Sequence, residues 1–377
     1  MIMLRPARES SIPERTAFST DKRKSWATLL VRSTAPVKSF EGMADVRDFV
    51  SAGSIKAESS DTNLAVVGSK SSGIVKFSAP IRICDESSIA LTEGEDLLRI
   101  RIGTRSSPLA LAQVKVIADM IRASWPDAEI IPVPIKTSGD KNMAAFSSDP
   151  QGIKGMFTHE IEESLRRGEI DIAVHSLKDL PANIAPDLPI VAYSKRGDPR
   201  DALIGGFGVI GTSSARRRVQ LAGLYPDAKI VPVRGNIGTR LKKLDAGEYS
   251  GLVLSAAGLE RLGLSQRIAR IFTVDEIVPS PGQGILACQG RSDSDYPYLE
   301  CVNDDDARDC AVAERSFSRC LGSGCNIPAG AYAEVDGEHL TLRGFFADDG
   351  RIKRVMLSGK RREAESMGMK LAEVVLS

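Results

Sequence analysis

The sequence predicts an α/β fold class, with two α/β domains around a cleft and a small C-terminal α+β domain. After residue 97, short apolar strands alternate with helical stretches, which is typical of mostly parallel sheets. One strand-to-helix turn occurs twice, in RIGTRSSPLA (101–110) and VIGTSSARRR (209–218), and this repeat favours two similar domains. After residue 304, a helix, three strand-like segments and a closing helix indicate a separate unit with an antiparallel sheet.

The apolar periodicity assigns an order of elements to each domain. The first domain is expected at 98–195 with 280–300, and its predicted elements are 98–103, 108–122, 129–136, 157–167 and 170–175. The second domain is expected at 200–278, and its predicted elements are 209–211, 215–224, 229–233, 239–246 and 251–255. The third is expected at 304–377, and its predicted elements are 306–319, 331–335, 340–346, 351–357 and 363–376.

Residues 1–97 differ from the rest of the chain. The first 40 residues contain eight basic and three acidic residues, and the segment stays rich in Ser and without periodicity to about residue 96. Acid-poor leaders rich in Arg and Ser are typical of organelle transit peptides. We therefore predict a transit peptide outside the fold. The alternative is a disordered tail that carries no targeting signal.

The composition limits the classes of function. The 377 residues include 50 Lys and Arg against 49 Asp and Glu, so a net charge of +1 argues against general nucleic-acid binding. No apolar run approaches the ~18 residues of a membrane-spanning helix. Six Cys without a CxxC pair, and three His, offer little for a disulfide scaffold or a metal site. We predict a multidomain enzyme without a metal that binds neither nucleic acid nor membrane.

The two repeated turns are candidate anion sites. Ser and Thr at a helix start can cap the helix, while its free N–H groups and its dipole face an anion. Arg side chains, which pair bidentately with carboxylate or phosphate, lie beside the turns: Arg105, Arg216, Arg217, Arg218, Arg234 and Arg240. The alternative is N-capping without a ligand, with the run 216–218 forming a solvated helix face from which at most two side chains point the same way.

Two further residues are candidates for chemistry. Asp179, in HSLKD (175–179), follows a buried strand and can donate a proton to a leaving amine or stabilise a developing cation. The alternative for a single Asp is a helix cap or a surface ion pair. Cys325 lies in the Gly-rich segment LGSGCNIP (321–328), where a thiol can be an accessible nucleophile or attachment point, whereas Cys288, Cys310 and Cys320 are expected to pack.

Taken together, the motifs of residues 98–377 resemble the porphobilinogen deaminase family, also called hydroxymethylbilane synthases. The ordered set is specific where single motifs are not. The matching segments are RIGTRSSPLALAQ (101–113), GIKGMFTHE (152–160), DIAVHSLKD (171–179), DPRDA (198–202), VIGTSSARRR (209–218), VRGNIGTRLKKLDAGEY (233–249), AAGLERLGL (256–264), PGQG (281–284) and LGSGCNIPAGAYAE (321–334).

The resemblance implies a fold and a reaction. The fold is a pair of α/β domains similar to those of periplasmic binding proteins, plus the small third domain. The reaction is that of a transferase in haem or chlorophyll biosynthesis, which joins four porphobilinogen molecules head to tail with loss of ammonia and releases hydroxymethylbilane by hydrolysis. A dipyrromethane cofactor, attached through a thioether to the residue that matches Cys325, primes the chain. Asp179 matches the catalytic aspartate that assists ammonia loss and stabilises cationic intermediates.

The resemblance also implies a set of binding residues. Each pyrrole carries an acetate and a propionate, which explains clustered cations on a neutral protein. The residues that match cofactor- and substrate-binding positions are Arg105, Ser107, Lys154, Ser176, Lys178, Thr212, Ser213, Ser214, Arg216, Arg217, Arg234, Gly235, Arg240, Arg261 and Gln283. The alternative functions are a non-catalytic two-domain anion-binding protein and a phosphoryl-ligand enzyme, and the latter lacks a GxxxxGK[ST] loop.

Some features depart from the family or follow from it only by analogy. Ile153 stands where Gly is usual, and a second Lys before Lys154 is missing. The segment between DPRDA (198–202) and VIGTSS (209–214) is shorter than in familiar members, which puts the first interdomain hinge in doubt. We expect a monomer located in a plastid after removal of the leader, with a mitochondrial or cytoplasmic location as the alternatives.

Overall fold

In a computed structural model, the chain forms two compact units, Met1–Asp96 and Leu97–Ser377. The structure describes residues 98–137, 158–322 and 327–377 in full, together with six short strands in the first unit. These strands are β1 Leu29–Ser33, β2 Ile55–Glu58, β3 Leu64–Gly68, β4 Ser71–Val75, β5 Ile83–Asp85 and β6 Ser88–Ile89. They form a four-stranded sheet in the order β2-β1-β3-β4 and a β5-β6 pair.

The sequence predicted no regular element in this first unit. Runs such as LAVVG (64–68) are apolar and rich in residues that favour strands, but they are too short to give a periodic signal. The interpretation of residues 1–97 as a transit peptide stays a prediction.

The second unit contains three sheets. The strands of the first sheet are β7 Arg99–Arg105, β8 Glu129–Ile135, β9 Ile172–Ser176, β10 Ile190–Tyr193 and β16 Leu286–Gln289. The strands of the second are β11 Asp201–Gly205, β12 Val209–Gly211, β13 Lys229–Val231, β14 Gly251–Ser255 and β15 Ile268–Ile271. The strand orders are β10-β16-β9-β7-β8 and β13-β12-β14-β11-β15.

Helices connect these strands and cover their faces. They are α1 Pro108–Ser124, α2 His159–Arg166, α3 Ala215–Leu224, α4 Ile237–Asp245 and α5 Ala256–Arg261. Helix α1 begins where Ser107 accepts a hydrogen bond from the Ala110 N–H and Pro108 occupies the first turn. Its residues Val114 and Ile117 are buried against Ile102 of β7, as their spacing on one helix face requires.

Each of the two large sheets contains one reversed strand, so the prediction of mostly parallel sheets was incomplete. Strand β16 is antiparallel to β9 and β10, and β11 is antiparallel to β14 and β15. Both are the first strands after the chain crosses from one sheet to the other. Leu286, the start of β16, pairs with Ser176 at the end of β9, and Asp201, the start of β11, pairs with Ser255 at the end of β14. A strand that enters at the carboxyl edge of its neighbours has to run the opposite way.

The C-terminal domain is an antiparallel sheet covered by two helices. Its elements are α6 Asp305–Cys320, β17 Ala329–Asp336, β18 His339–Asp348, β19 Arg351–Lys360 and α7 Ala364–Leu376. The strands pair in chain order. Phe317 of α6 and Leu371 of α7 are buried against Leu342 of β18. The predicted fold class, two α/β domains and a small α+β domain, is therefore confirmed.

Two segments join the α/β sheets. Residues 194–200, the outward crossing, lead from the first sheet to the second, and residues 272–285, the return crossing, lead back to the first. They run side by side, and the Gly197 N–H donates to the Gly284 carbonyl oxygen at 3.1 Å. The short stretch after Ala202, expected to affect a hinge, instead lies within the second sheet, where it joins β11 to β12. None of the helices described here is both long and apolar enough to span a membrane.

Candidate active-site cleft

A cleft of about 1070 Å³ lies between the two α/β sheets, where the carboxyl ends of several strands meet. Arg105 at the end of β7 and Ser176 at the end of β9 line one side. Thr212, which follows β12, and Pro232, which follows β13, line the other. The two repeated turns predicted from the sequence therefore face the same cleft.

The side chains of the cleft are strongly cationic. Within the described residues, its lining contains a single carboxylate, Asp179, and seven cationic side chains: Arg105, Lys178, Arg217, Arg218, Arg234, Arg240 and Arg261. Arg218 and Arg234 are exposed, and neither guanidinium has an acidic partner among those residues. A cleft with this balance attracts a polyanionic ligand.

Asp179 and Lys178 lie on a single 3-10 turn, Leu177–Asp179, which directly follows β9. Asp179 is exposed to the cleft, and Lys178 is half-buried with Nζ 3.2 Å from Oε1 of Gln283. Burial lowers the pKa of the Lys178 ammonium to about 8, and the Asp179 carboxylate partly opposes this shift. Lys178 is therefore mainly cationic at neutral pH, but it loses its charge at a lower pH than an exposed lysine.

Three helix N-termini point their free N–H groups at the cleft. Ser107 caps α1, Ser214 caps α3 and Asn236 caps α4, each by accepting a hydrogen bond from a backbone N–H three residues later. Residues of all three starts line the cleft. Because each helix has partial positive charge at this end, the three add to the field of the cations. The capping that the sequence analysis gave as the alternative to an anion site is present, but the capped helix starts also line the cationic cleft, so the two are compatible.

Arg240 is held in place by the turn that precedes its helix. Its Nε donates to the carbonyl oxygen of Gly235 at 2.7 Å. Gly235 has a φ of +110°, and a Cβ there would come within 2.7 Å of Thr239, so the turn requires glycine. Burial and Arg217 lower the pKa of the Arg240 guanidinium, whereas the Asp179 carboxylate opposes this, as expected for groups that face the same cleft.

Arg261, at the end of α5, contacts the return crossing. Its Nη2 donates to the Gly284 carbonyl oxygen at 2.5 Å, while the side chain still lines the cleft. Burial lowers the pKa of Arg261 to about 10, so it remains cationic at neutral pH.

A buried carboxylate that the sequence did not single out, Asp201, determines where two predicted arginines point. Asp201 accepts hydrogen bonds from Arg216 Nη1 at 2.8 Å, Arg217 Nη2 at 2.7 Å and Gln283 Nε2 at 2.9 Å. Burial alone would raise the pKa of this carboxyl, but the two guanidinium groups outweigh it and hold the pKa well below its usual value.

Three residues that the sequence predicted for the site do not line the cleft. Arg216 is buried against Asp201 and the Val278 carbonyl oxygen, and Gln283 is buried between Asp201 and Lys178. Ser214 contributes its hydroxyl to the cap of α3. Arg218, a candidate beside the second turn that the family resemblance did not include among the binding residues, lines the cleft, whereas Arg216 does not. The helical spacing limits such a run to two inward side chains but does not say which two.

The other predicted hydroxyls lie at the cleft, with bonds of their own. Ser176 accepts from Gln113 at 2.6 Å, and Ser213 donates to the Val233 carbonyl oxygen at 2.6 Å. Thr212 is buried and accepts from the Ser214 N–H. Lys154 and Cys325, as well as Ile153, lie outside the residues that the structure describes.

Comparisons with known proteins identify the family. The family model "Porphobilinogen deaminase, dipyromethane cofactor binding domain" matches residues 100–297, more than half of the chain, and "Porphobilinogen deaminase, C-terminal domain" matches 309–377. This chain belongs to the porphobilinogen deaminase family. The first match places a dipyrromethane-binding domain over both large sheets.

Individual members of the porphobilinogen deaminase family support the same assignment. The protein of that name from Acetivibrio thermocellus is 46% identical over 288 residues, 74% of this chain and 98% of that protein. The one from Ruminiclostridium josui is 43% identical over 74% of this chain and 98% of its own length. Among solved structures, the periplasmic aliphatic sulphonate binding protein SsuA from Escherichia coli is 16% identical, with a TM-score of 0.31, over 60% of this chain and 71% of that one.

The described residues fit the dipyrromethane cofactor of the porphobilinogen deaminase family. A pyrrole chain with acidic side arms needs cations without carboxylate partners, and Arg218 and Arg234 provide them. In addition, Nε of Arg217 is buried without a hydrogen-bond partner among the described residues, so it is available to a bound anion. The chain is thus an enzyme of tetrapyrrole synthesis, and nothing favours the non-catalytic binding protein.

Proposed function

We propose that this chain is the transferase that joins four porphobilinogen molecules head to tail, with one ammonia released at each step, and finally releases hydroxymethylbilane by hydrolysis. The observation that carries the proposal is the cleft, which is lined by cationic side chains from two domains and, among the described residues, by the single carboxylate of Asp179. This arrangement suits a substrate that carries several carboxylates and one reacting ammonium group.

The cations bind and orient the acidic side arms. We assign the cofactor and the growing chain to Arg105, Arg217, Arg218 and Arg234, with Lys178, Arg240 and Arg261 completing the lining. A charge-assisted hydrogen bond contributes on the order of 1.5–3 kcal/mol, so several together hold a chain that has to stay bound between additions. When bound, the dipyrromethane supplies the terminal pyrrole to which the first porphobilinogen is joined.

Asp179 acts on the leaving group. Its carboxylate can accept a hydrogen bond from the substrate ammonium and, after ammonia departs, balance the positive charge that remains on the pyrrole. Because Asp179 is the sole carboxylate lining the described cleft, it concentrates this stabilisation at one point while the surrounding cations hold the substrate's own acids away from it.

The residue that we propose for cofactor attachment is Cys325. It lies in LGSGCNIP (321–328), the segment that resembles the family's cofactor loop. Intact mass spectrometry tests it with a matched control, Cys320→Ser, since Cys320 is an exposed thiol nearby in the sequence. The parent and Cys320→Ser should carry the added mass of one dipyrromethane, and Cys325→Ser should have the bare polypeptide mass. Cofactor mass on Cys325→Ser would exclude the attachment site.

The activity itself is tested by supplying porphobilinogen to the purified protein and measuring ammonia and hydroxymethylbilane. Asp179→Asn should keep the cofactor mass and lose about a hundredfold or more in kcat, the range of general acid–base contributions. A parent protein inert toward porphobilinogen would exclude the function, and an Asp179→Asn variant with parental kcat would exclude the role of this carboxylate.

Two proposals about the whole chain rest on the sequence alone. Residues 1–97 are a plastid transit peptide, an assignment supported by the acid-poor composition of the first 40 residues but not by the bacterial relatives named above. A fusion of residues 1–97 to a fluorescent protein should accumulate in plastids, and a diffuse signal would contradict the assignment. The enzyme is a monomer, which light scattering of the purified protein can measure.

A further inference from the structure

One charged side chain outside the cleft binds the turn that carries Asp179. Arg315 of α6 donates from Nη2 to the carbonyl oxygens of Pro181 at 2.6 Å and Ala182 at 3.0 Å. These two residues follow Asp179 almost directly in the chain. The guanidinium is partly buried, and no ion pair joins it to an acidic residue of the described chain, so its contacts go to backbone oxygens.

The same face of α6 packs against the other side of this turn. Ala311 lies one helical turn and Ala307 two helical turns before Arg315, at spacings of four and eight residues, and both therefore share its face. Both alanines are buried in a cluster with Leu177 and Leu180, which flank Lys178 and Asp179. One helix face thus holds the turn by apolar packing at one point and by hydrogen bonds at another.

Helix α6 is also fixed to the crossing segments. Glu314, fully buried, accepts hydrogen bonds from Arg196 Nη2 of the outward crossing and from the Gly282 N–H of the return crossing, each at 2.6 Å. The helix ends at Cys320, shortly before Cys325 in the sequence. Helix α6 therefore contacts the Asp179 turn and both crossings, and it ends shortly before the proposed attachment cysteine in the sequence.

We infer that Arg315 is a positioning residue for the elongation reaction, which holds the Asp179 turn at a fixed place on α6. The inference rests on the proposed function, because it requires that Asp179 act on the substrate. Displacement of a reacting group by about 1 Å can cost a hundredfold in rate, so loss of the two hydrogen bonds should lower kcat while leaving the cleft cations, and hence KM, in place.

The test compares Arg315→Met, which keeps the aliphatic stem, with Arg315→Lys and with the control Arg308→Met. Arg308 is an exposed arginine on the same helix, and its ion pairs among the described residues are with Asp305 and Asp309. Steady-state kinetics with porphobilinogen, intact mass and hydrogen exchange of the peptide 177–184 are measured for each. For Arg315→Met we expect kcat lower by about ten- to a hundredfold, KM within about twofold, cofactor mass retained and faster exchange in 177–184. Arg315→Lys should recover part of kcat, and Arg308→Met should match the parent.

Several outcomes would overturn the inference. Faster exchange with parental kcat means that Arg315 only stabilises the fold, and a rise in KM with unchanged kcat means that it acts in binding. Unchanged exchange means that the hydrogen bonds do not hold the turn. If Arg315→Met fails to fold, Arg315→Lys takes its place, and faster exchange in 177–184 with parental kcat in that variant overturns the inference as well. Failure of the proposed function is distinct, since then the parent itself would not consume porphobilinogen.

Discussion

The surroundings of Lys178 predict that substrate binding depends on pH in a range where the other cations of the cleft keep their charge. Burial lowers the pKa of its ammonium to about 8, whereas the arginines stay protonated. Below that pH the group is positive and can pair with a carboxylate of the substrate. Above it, the neutral amine remains beside Gln283 and Asp179 and offers only a weak hydrogen bond.

We therefore expect KM for porphobilinogen to rise as the pH increases through about 8. Lys178→Arg should remove this rise, because a guanidinium keeps its charge in the same place at higher pH. Steady-state kinetics at a series of pH values for both proteins measure the effect. A KM of the parent that stays constant across this range would show that the charge of Lys178 does not contribute to binding.

Arg218 is the second residue whose role follows from its partners, or their absence. It is exposed, lines the cleft and has no acidic partner among the described residues, unlike its neighbours Arg216 and Arg217. Arg218→Ala should raise KM by about tenfold, since one charge-assisted bond is worth roughly 1.5 kcal/mol or more, with little change in melting temperature. Arg351→Ala, an exposed arginine on β19, is the control and should leave KM unchanged. Equal KM values for the two variants would place Arg218 outside the substrate contacts.

These arginines show what the sequence could and could not predict about the site. Motif resemblance located the turn and the cluster, because helix caps and glycine turns leave recognisable residues at fixed spacing. It included Arg216 and left out Arg218, whereas the structure places Arg218 at the cleft. The difference depends on Asp201, a carboxylate distant in the sequence that binds Arg216 and Arg217 of α3. Which arginine is buried and which carboxylate it pairs with are decided by the packing of distant segments, so local sequence does not show them.

At the level of elements, α4 is positioned by the glycines at its two ends. Gly235 precedes the helix with a φ of +110° and no room for a Cβ, while Gly247 follows it with a φ of +79° and no atom within 4 Å of a Cβ. A side chain at either position would be strained by the positive φ, but only a side chain at Gly235 would also collide with a neighbour. Comparing substitutions at the two positions therefore separates backbone strain from steric contact.

Gly235→Ala should destabilise the protein by about 1–3 kcal/mol and raise KM, because the displaced turn carries the carbonyl oxygen that holds Arg240. Gly247→Ala should cost about 1 kcal/mol and leave KM unchanged. Thermal unfolding and steady-state kinetics of both variants measure these effects. Equal stabilities and equal KM values would mean that Thr239 moves aside and that the turn tolerates a side chain.

The sequence predicted the elements with strong periodicity far better than the others. Helix α1, with its cap at Ser107 and apolar residues on one face, was predicted to within two residues at its end. Strands β10, β11, β15 and β16 and the short helix α5 were not predicted. Each is four to six residues long, and β16 is buried throughout, so no alternation of polar and apolar residues marks it.

On the scale of the whole molecule, two buried carboxylates hold the crossing segments. Glu314 of the C-terminal domain bonds Arg196 of the outward crossing and Gly282 of the return. Asp201, at the start of β11, bonds Gln283 of the return crossing and the two arginines of α3. Domain positions around the cleft thus depend on interactions between segments far apart in the chain, which spacing in the sequence does not reveal. For the same reason, the segment after Ala202 was wrongly expected to belong to a hinge, although it lies within the second sheet.

Asp201→Asn should therefore affect stability more than any surface substitution. Removing one partner of a buried ion pair costs about 3 kcal/mol or more, which corresponds to a melting temperature lower by roughly 6–12 °C for a protein of this size. Asp227→Asn, at an exposed position, is the control and should melt within about 2 °C of the parent. Identical melting of the two variants would mean that a neutral amide in place of the Asp201 carboxylate keeps both arginines satisfied.

The pH dependence gives the same prediction a second test. The folded pKa of Asp201 lies below the ordinary value of about 3.9, so its contribution is complete above that pH and is lost as the pH falls toward the folded pKa. The difference in melting temperature between the parent and Asp201→Asn should thus be constant from neutral pH to about pH 5 and shrink below about pH 4. A difference that stays constant through pH 4 and below would contradict a charged Asp201 in the folded enzyme, and the two guanidinium groups would then need another counterion.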